Sequence, residues 1–501
     1  MASTPRSAGQ RARRRPFWIR LAMTGVLLGA AVAGGALYFL NDAGITPRSL
    51  GPYIERRSQG HNPVIEGIGR SARSWLIAAD RGEQPLAAAA WRPGFVGMQE
   101  AAVLPATQAT EGEREVLVVD GPDLARALRA AVPGQRITLL PGIYRIEGTL
   151  EAFRPGSAEA PISVRAHRPG SAVLEIAGGE GFRVTAPYWR FENLVLRGVC
   201  SGNSECEHAF HVAGDAHHFA AVNNLVEDFH AHFKINGERG RYPDHGVIES
   251  NTLRNNTVRL TEKPVTPIDL VTASHWRIRG NLISDFVKGA GNQVSYGAFA
   301  KGGGSDNILE RNVVICEDRL RGAPGQRIGL SLGGGGTGRD YCRGGKCITE
   351  QTGGILRANL VASCSDDGIY LNAAARSILL HNTVVDTGGI TVRYPESSAD
   401  IAGNLVDGII RSRDGGLLRL ADNLHTSAAR LYLGSHPYRA LFRDPSSLDF
   451  RWREPAPVRP AADGAAPDLC APARPAMARY GAFEDFAACL DPAARTVRTL
   501  Q

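Results

Sequence analysis

The chain has 501 residues, 58 of them glycine, and a formal net charge of +7. Six arginines (Arg6, Arg11, Arg13, Arg14, Arg15 and Arg20) lie in the first twenty residues, which hold no acid, so the remainder carries only +1. That balance argues against a general nucleic-acid partner, which needs a basic surface, and abundant glycine with 7% aromatics suits strands and turns better than helices.

Residues 1–20 form a basic cytoplasmic N-terminus. They are followed by "LAMTGVLLGAAVAGGALYFL", residues 21–40, a stretch without charge that is long enough to span a bilayer. The preceding arginines should hold its N-terminal side in the cytoplasm and send the rest across as a signal-anchor. A cleaved signal peptide is the rival, but no small-x-small site follows the apolar run. "RRRPFW" matches a twin-arginine export signal only loosely. Both routes put the body in the periplasm or outside the cell. Residues 41–115 show no repeat and mix Pro, Gly and Ala, so they read as a stalk or spacer. Next, "DLARALRAAVPGQRITLLPGIYRI" (123–146) predicts a short amphipathic helix, a turn and the first strands, the helix covering an otherwise open pairing edge.

A repeat then takes over. It runs "IESNTL" (Asn251), "IRGNLI" (Asn281), "LERNVV" (Asn312), "LRANLV" (Asn359), "LLHNTV" (Asn382), "IAGNLV" (Asn404) and "LADNL" (Asn423). Asn193 in "FENLVL" and Asn224 in "VNNLVE" are looser members. Such intervals mark a solenoid built of one supersecondary unit per repeat. Alternating aliphatic and polar residues favour strands, and no ten-residue amphipathic run supports a helical solenoid. The predicted fold is all-β: a right-handed single-stranded parallel β-helix over residues 116–450, its recurrent Asn stacking amides at a bend. A longer interval between Asn312 and Asn359 requires an insertion, about 317–352. Residues 451–501 form a Pro/Ala-rich tail.

All eight cysteines lie beyond the apolar segment, as an oxidising compartment allows. Cys200 with Cys206 and Cys342 with Cys347 look like local loop staples, and Cys470 with Cys489 would tie down the tail. Cys316 and Cys364 remain; they follow Asn312 and Asn359 by four and five residues, so stacked coils would bring them together. Eight ordinary thiols are the alternative. Zinc is disfavoured because no two CxxC pairs occur.

With "LLPGIYRIEGTL" and "APISVRAHRPGSAVLEIAGGEGFRVTAPYWRFENLVLRGV", the chain resembles the chondroitinase-B and alginate-lyase type of β-helix polysaccharide lyase. The resemblance extends to about residue 450. It implies a calcium-binding glutamate pair, a lysine base and an arginine on a later coil. "HFKINGERG" supplies Lys234 without the preceding acids, so Ca2+ is implied by the resemblance alone.

The strands opening each coil align as "HFKIN", "DLVTA", "GAFAK", "GLSLG", "GIYLN" and "GITVR". Their third and fifth positions should face outward. This gives two columns: Lys234, Val271, Phe299, Ser331, Tyr370, Thr391, and Asn236, Ala273, Lys301, Gly333, Asn372, Arg393. Such a face suits an acidic polysaccharide. Eliminating a polyuronate requires a neutralised carboxylate, a base for the C5 proton and an acid for the leaving oxygen. The expected catalytic residues are Lys301 as base, then Tyr370 as proton donor, Lys234, and His245 of "YPDHG" as an alternative from a loop. Arg393, Asn236, Asn372 and Ser331 would bind substrate, Arg393 as a carboxylate clamp. Hydrolysis or C5-epimerisation on the same groove, and a non-catalytic carbohydrate-binding solenoid, are the competing readings. An isolated outward lysine is usually only solvated. His230 and His232 could share a face but lack a third metal ligand. Asp366 and Asp367 invite a glycosidase reading, although a turn-forming Asp-Gly is commoner. "GGGGTGRD" has Arg339 where a phosphate loop needs lysine.

Overall fold

The computed structural model describes residues 17–81, 96–98, 114–202, 205–334, 336–453, 455–461, 468–470 and 473–490. The chain winds as a parallel β-helix with three sheets of twelve, eleven and ten strands. Each full coil contributes one strand to each sheet in the same order, for example Val247–Glu249, Thr252–Arg254 and Ile268–Val271. The first-sheet strands stack Ile248, Ile278, Leu309, Leu356, Leu379 and Ile401 inward in register. All six are at most 1% exposed. The second sheet does the same with Leu253, Ile283, Val314, Val361, Val384 and Val406. A period-two strand with one apolar residue inward can bury it only against the rung above and below, which makes the pattern repeat.

The bend between first and second sheets carries the asparagine ladder. From Asn224 to Asn404, each Asn donates its backbone N–H and its Nδ2 to the Oδ1 of the Asn one coil on, at 2.8–3.1 Å. Each Nδ2 also reaches back to a carbonyl of the preceding coil, such as Ile278 for Asn312 at 2.9 Å. The residue before each Asn has positive φ, for example Ser250 at 56° and Ala358 at 51°, so the bend is tight and backbone groups there have no strand partner. The amide, with two donors and one acceptor oxygen, meets that need. Asn224 is a full rung of this ladder. Asn193 is not: it occupies the positive-φ position (61°) and accepts from Asn223 Nδ2, while Leu194 takes the ladder place.

Within helix α1 (Phe17–Asp42) the apolar stretch Ala22–Asp42 is unburied and by length and composition could span a membrane. Within the stretch assigned to a spacer, α2 (Pro47–Ser58) and α3 (Pro63–Arg81) pack antiparallel on the C-terminal coils. Their contact uses glycine and ion pairs in place of an apolar stripe: Gly51 lies against Arg73 and Gly69 against Ser58. Arg48 bonds Asp80 and Asp386 at 2.5 and 2.8 Å, and Arg81 bonds Asp386 and Glu317. Helix α4 (Gly121–Arg129) caps the N-terminal end with Leu124 and Leu128 fully buried. Helix α5 (Ala428–Tyr432) follows the last coil, and Ala429 N–H donates to Asn41 Oδ1 of α1. Past it, Phe442, Phe450, Trp452, Phe483 and Phe486 form a second core against the outer face of the second sheet. The tail thus covers one wall of the solenoid.

All four disulfides are formed: Cys200–Cys206, Cys316–Cys364, Cys342–Cys347 and Cys470–Cys489. The 317–352 segment is two loops around a third-sheet strand, Gln326–Leu332.

Asn359 is fully buried; its Oδ1 accepts from the N–H and Nδ2 of Asn312, and its Nδ2 donates back to the Leu309 carbonyl and on to Asn382 Oδ1. Asn359→Ala should therefore cost about 2–4 kcal/mol in urea unfolding. Asn423→Ala, at the partly exposed end of the ladder, should cost clearly less. Equal losses would show that the ladder does not act through burial.

Candidate functional site

The outer face of the third sheet carries the polar residues. Strand pairing gives one column as Arg183, His211, Lys234, Asp269, Phe299, Ser331, Tyr370, Thr391 and Arg411. The neighbouring column includes Asn236, Val271, Lys301, Gly333, Asn372 and Arg393, with Val271 opposite Lys301 and Asn372 opposite Arg393. The expected register fails at one coil. Asp269, not Val271, pairs with Lys234, and Val271 takes the place given to Ala273. The strand ends at Val271 because Thr272 turns to φ 67°. The alternation in "IDLV", with Ile268 and Leu270 inward, was the signal that could have found it.

That shift matters chemically. Lys234 Nζ donates to Asp269 Oδ2 at 2.9 Å, while Asp269 Oδ1 is buried without a hydrogen-bond partner among the described residues. Lys301 is different. Its Nζ sits 4.5 Å over the Phe299 ring and has no hydrogen-bond or ion-pair partner among the described residues. Gly334 closes over its stem: a Cβ there would come within 3.0 Å of Lys301 Cδ. Burial, helped by the nearby Lys234 charge, lowers the Lys301 pKa below its ordinary 10.5, against the pull of Asp269 and Glu350.

Further along, Tyr370, Asn372 and Arg393 form a connected group. The Tyr370 hydroxyl accepts from Asn372 Nδ2 at 3.1 Å and Arg393 Nη1 at 3.3 Å. Burial pushes the Tyr370 pKa up, opposed by Arg393. Arg393 also pairs with Asp414 at 2.5 Å and lies over the Tyr394 ring. Between this group and Lys301–Phe299 lies one rung of small residues, Ser331 and Gly333. Two rung spacings are about 10 Å, so a cation and an aromatic ring stand on one side of this rung of small residues and a tyrosine and an arginine on the other.

Other expected members are placed elsewhere. The Ser331 hydroxyl is fully buried within hydrogen-bond reach of the Gly333 and Tyr370 carbonyls, so it is floor and not a binding group. Asn236 sits three rungs N-terminal of Ser331 and accepts from His211 Nε2 at 2.8 Å. His245 is off the sheet, in a column of stacked rings at the next corner between His218 (5.1 Å) and His275 (4.8 Å). Its neighbour Asp244 is held by both terminal nitrogens of Arg343 at 2.8 Å, and Arg343 lies over Tyr242. In this way the Cys342–Cys347 loop is fastened along the Lys301 side of the face. His232 is buried with Nε2 3.1 Å from the Arg254 carbonyl, and burial lowers its pKa to about 4. Asp366 and Asp367 lie at the start of a third-sheet strand. Burial and then the Asp366 charge raise the Asp367 pKa to about 7, while Arg411 opposes.

Calcium does not fit the donors present. Among the described residues no three His, Cys, Asp or Glu side chains converge on a common point. Asp269 is committed to Lys234, and Glu350 accepts from Gly302 N–H and Thr337.

Fold and face together define a single-stranded parallel β-helix with a polar groove along one sheet. No protein-family model matches the chain, and no curated protein matches it. Among solved structures, it is similar to the pectate lyase Pel9A at 15% identity and a TM-score of 0.51, over 74% of this chain and 97% of that one. That likeness shows the fold. The A-module of the mannuronan C-5 epimerase AlgE4 from Azotobacter vinelandii matches at 11% identity and TM-score 0.41, over 61% of this chain and 91% of that one. An alginate lyase from Paenibacillus sp. matches at 17% and 0.36, over 61% and 99%.

Because the lowered pKa of Lys301 marks a cation penalised by the fold, the cost is full below its folded pKa and fades as pH rises toward 10.5. Lys301→Met should stabilise the fold at pH 7 by on the order of 1 kcal/mol, read as a higher thermal midpoint, and the gain should shrink at alkaline pH. A lower midpoint than the parent's at pH 7 would mean that Lys301 is not desolvated.

Proposed function

We propose that the third-sheet groove binds an acidic, uronate-containing polysaccharide and cleaves it by β-elimination. The observation that carries this reading is Lys301: a half-buried amine, tilted toward neutrality, beside a rung of small residues with Tyr370 and Arg393 on its far side. In the neutral form, Lys301 Nζ takes the C5 proton of the sugar seated over Ser331 and Gly333. Arg393 offsets the carboxylate charge that builds as that proton leaves. Tyr370, kept protonated by its raised pKa, gives its proton to the glycosidic oxygen as the C4–O bond breaks and a C4=C5 double bond forms.

One observation favours hydrolysis as a second reading. Asp367, with a pKa near 7 beside the raised Asp366, meets the requirement for a protonated acid next to a carboxylate. Export completes the proposal: the charge-free span of α1 and the four disulfides suit a body held outside the cytoplasm on a membrane anchor.

The test is a panel of alginate, pectate, chondroitin and heparin-like polymers, read by ultraviolet absorbance of the unsaturated product and by new reducing ends. Elimination predicts both signals; reducing ends without absorbance select hydrolysis; binding without either removes the enzyme. Lys301→Ala should lower turnover about 10²–10⁴-fold with the fold intact by circular dichroism, and Tyr370→Phe should lower kcat more than it changes KM. Full activity in Lys301→Ala removes the assignment of the base.

A further inference from the structure

The connection between α1 and α2 lies across the groove at its C-terminal end. The Gly44 carbonyl accepts from Arg411 Nη1 at 2.7 Å, and Arg411 Nε in turn donates to Thr391 Oγ1 at 3.0 Å. Arg411 and Thr391 belong to the same outward column as Tyr370. A Cβ placed on Gly44 would lie 3.6 Å from both Ile409 Cδ1 and Arg411 Cδ, so the connection rests directly on the outer face of the last third-sheet strand. Gly44 has φ 60°, which lets the chain turn there from the end of α1 toward α2.

Both flanks of this crossing are fixed. On one side Asn41 of α1 is bonded to α5. On the other, Arg48 of α2 is bonded to the carbonyls of Cys364 and Asp386 and to the Asp386 carboxylate. Asp386 is held charged by Arg81, Arg48, Arg439 and Arg321, its pKa far below the usual carboxylate range although burial opposes this. A strap pinned by a buried ion pair on one flank, by a hydrogen bond to α5 on the other and by Arg411 between them is held to the sheet, unlike a free surface loop.

Its position sets the reach of the groove. From the Ser331 rung to the Arg411 strand there are three rung spacings, about 14 Å. In the other direction five spacings, about 24 Å, run past Phe299, Asp269, Lys234 and His211 to Arg183, and Lys234 and Asn236 keep part of their surface exposed. A polymer can extend over the N-terminal coils, but on the strap side only a short oligosaccharide fits.

We infer that the groove is blind at its C-terminal end and that the protein acts on chain ends, releasing one short oligosaccharide per event. This rests on the proposed sugar-handling site. The test uses the full-length protein in detergent with whichever polymer of the panel is turned over, following solution viscosity and product size together from the first minutes. A blind groove gives one short product from the start while viscosity falls little. A ladder of sizes with an early collapse of viscosity overturns the inference and leaves the proposed chemistry standing. An independent readout uses Lys301→Ala and a short oligosaccharide of the same polymer carrying a bulky fluorophore at one end or the other. The strap predicts that one tagged isomer loses at least tenfold in affinity while the other binds like the untagged sugar; equal affinities overturn it. Turnover and binding both absent across the panel would instead remove the underlying reading, a result distinct from either pattern.

Discussion

Register is the constraint on which the rest of this molecule depends. A parallel solenoid with one inward apolar residue per short strand has little to stop a coil slipping along its neighbour, and a slip of one residue would turn every side chain to the wrong face. The buried amide ladder prevents this, because an Asn displaced by one position leaves its own donors and its neighbour's oxygen unpaired in a dry bend. The outward columns inherit their order from it: Lys301 and Arg393 share one wall because Asn281, Asn312, Asn359, Asn382 and Asn404 share one bend.

The polar groups are sorted by what surrounds them. Beside the C-terminal coils Asp386 gathers several arginines, and the helical pair is fastened to the solenoid by largely buried charges. On the groove, Lys234 is neutralised by Asp269 while Lys301, one column across, is left over an aromatic ring. Two lysines with the same intrinsic chemistry thus sit in different surroundings, one paired with a carboxylate and the other held over a ring. The same logic separates His245, stacked with other imidazoles, from any role on the sheet.

Much of the fold was legible in the chain because the repeat is a local pattern: each "x-Asn-aliphatic" unit states its own bend and its own inward residue. The disulfide pairs were legible for the same reason, Cys316 and Cys364 occupying nearly equivalent places on successive coils. The site was legible in part. Alternation identified Lys301, Tyr370, Asn372 and Arg393 as outward residues, and three of these do meet. Asp269 was missed because the strand boundary at Thr272 is set by a turn whose register the coil length did not reveal. Ser331 was read as a binding group because alternation cannot distinguish an outward hydroxyl that reaches solvent from one turned onto backbone carbonyls.

What the sequence determined by itself was periodicity: a wound parallel sheet, its bends and its inward ladders, all consequences of chemistry repeated at short range. What only the tertiary structure decided was everything that depends on segments distant in the chain meeting. Gly44 reaches Arg411, Arg48 reaches Asp386, and Arg343 reaches Asp244. These contacts fill no period and belong to no motif, since an arginine finds its carboxylate through space, and it is they that give the groove its walls and its closed end.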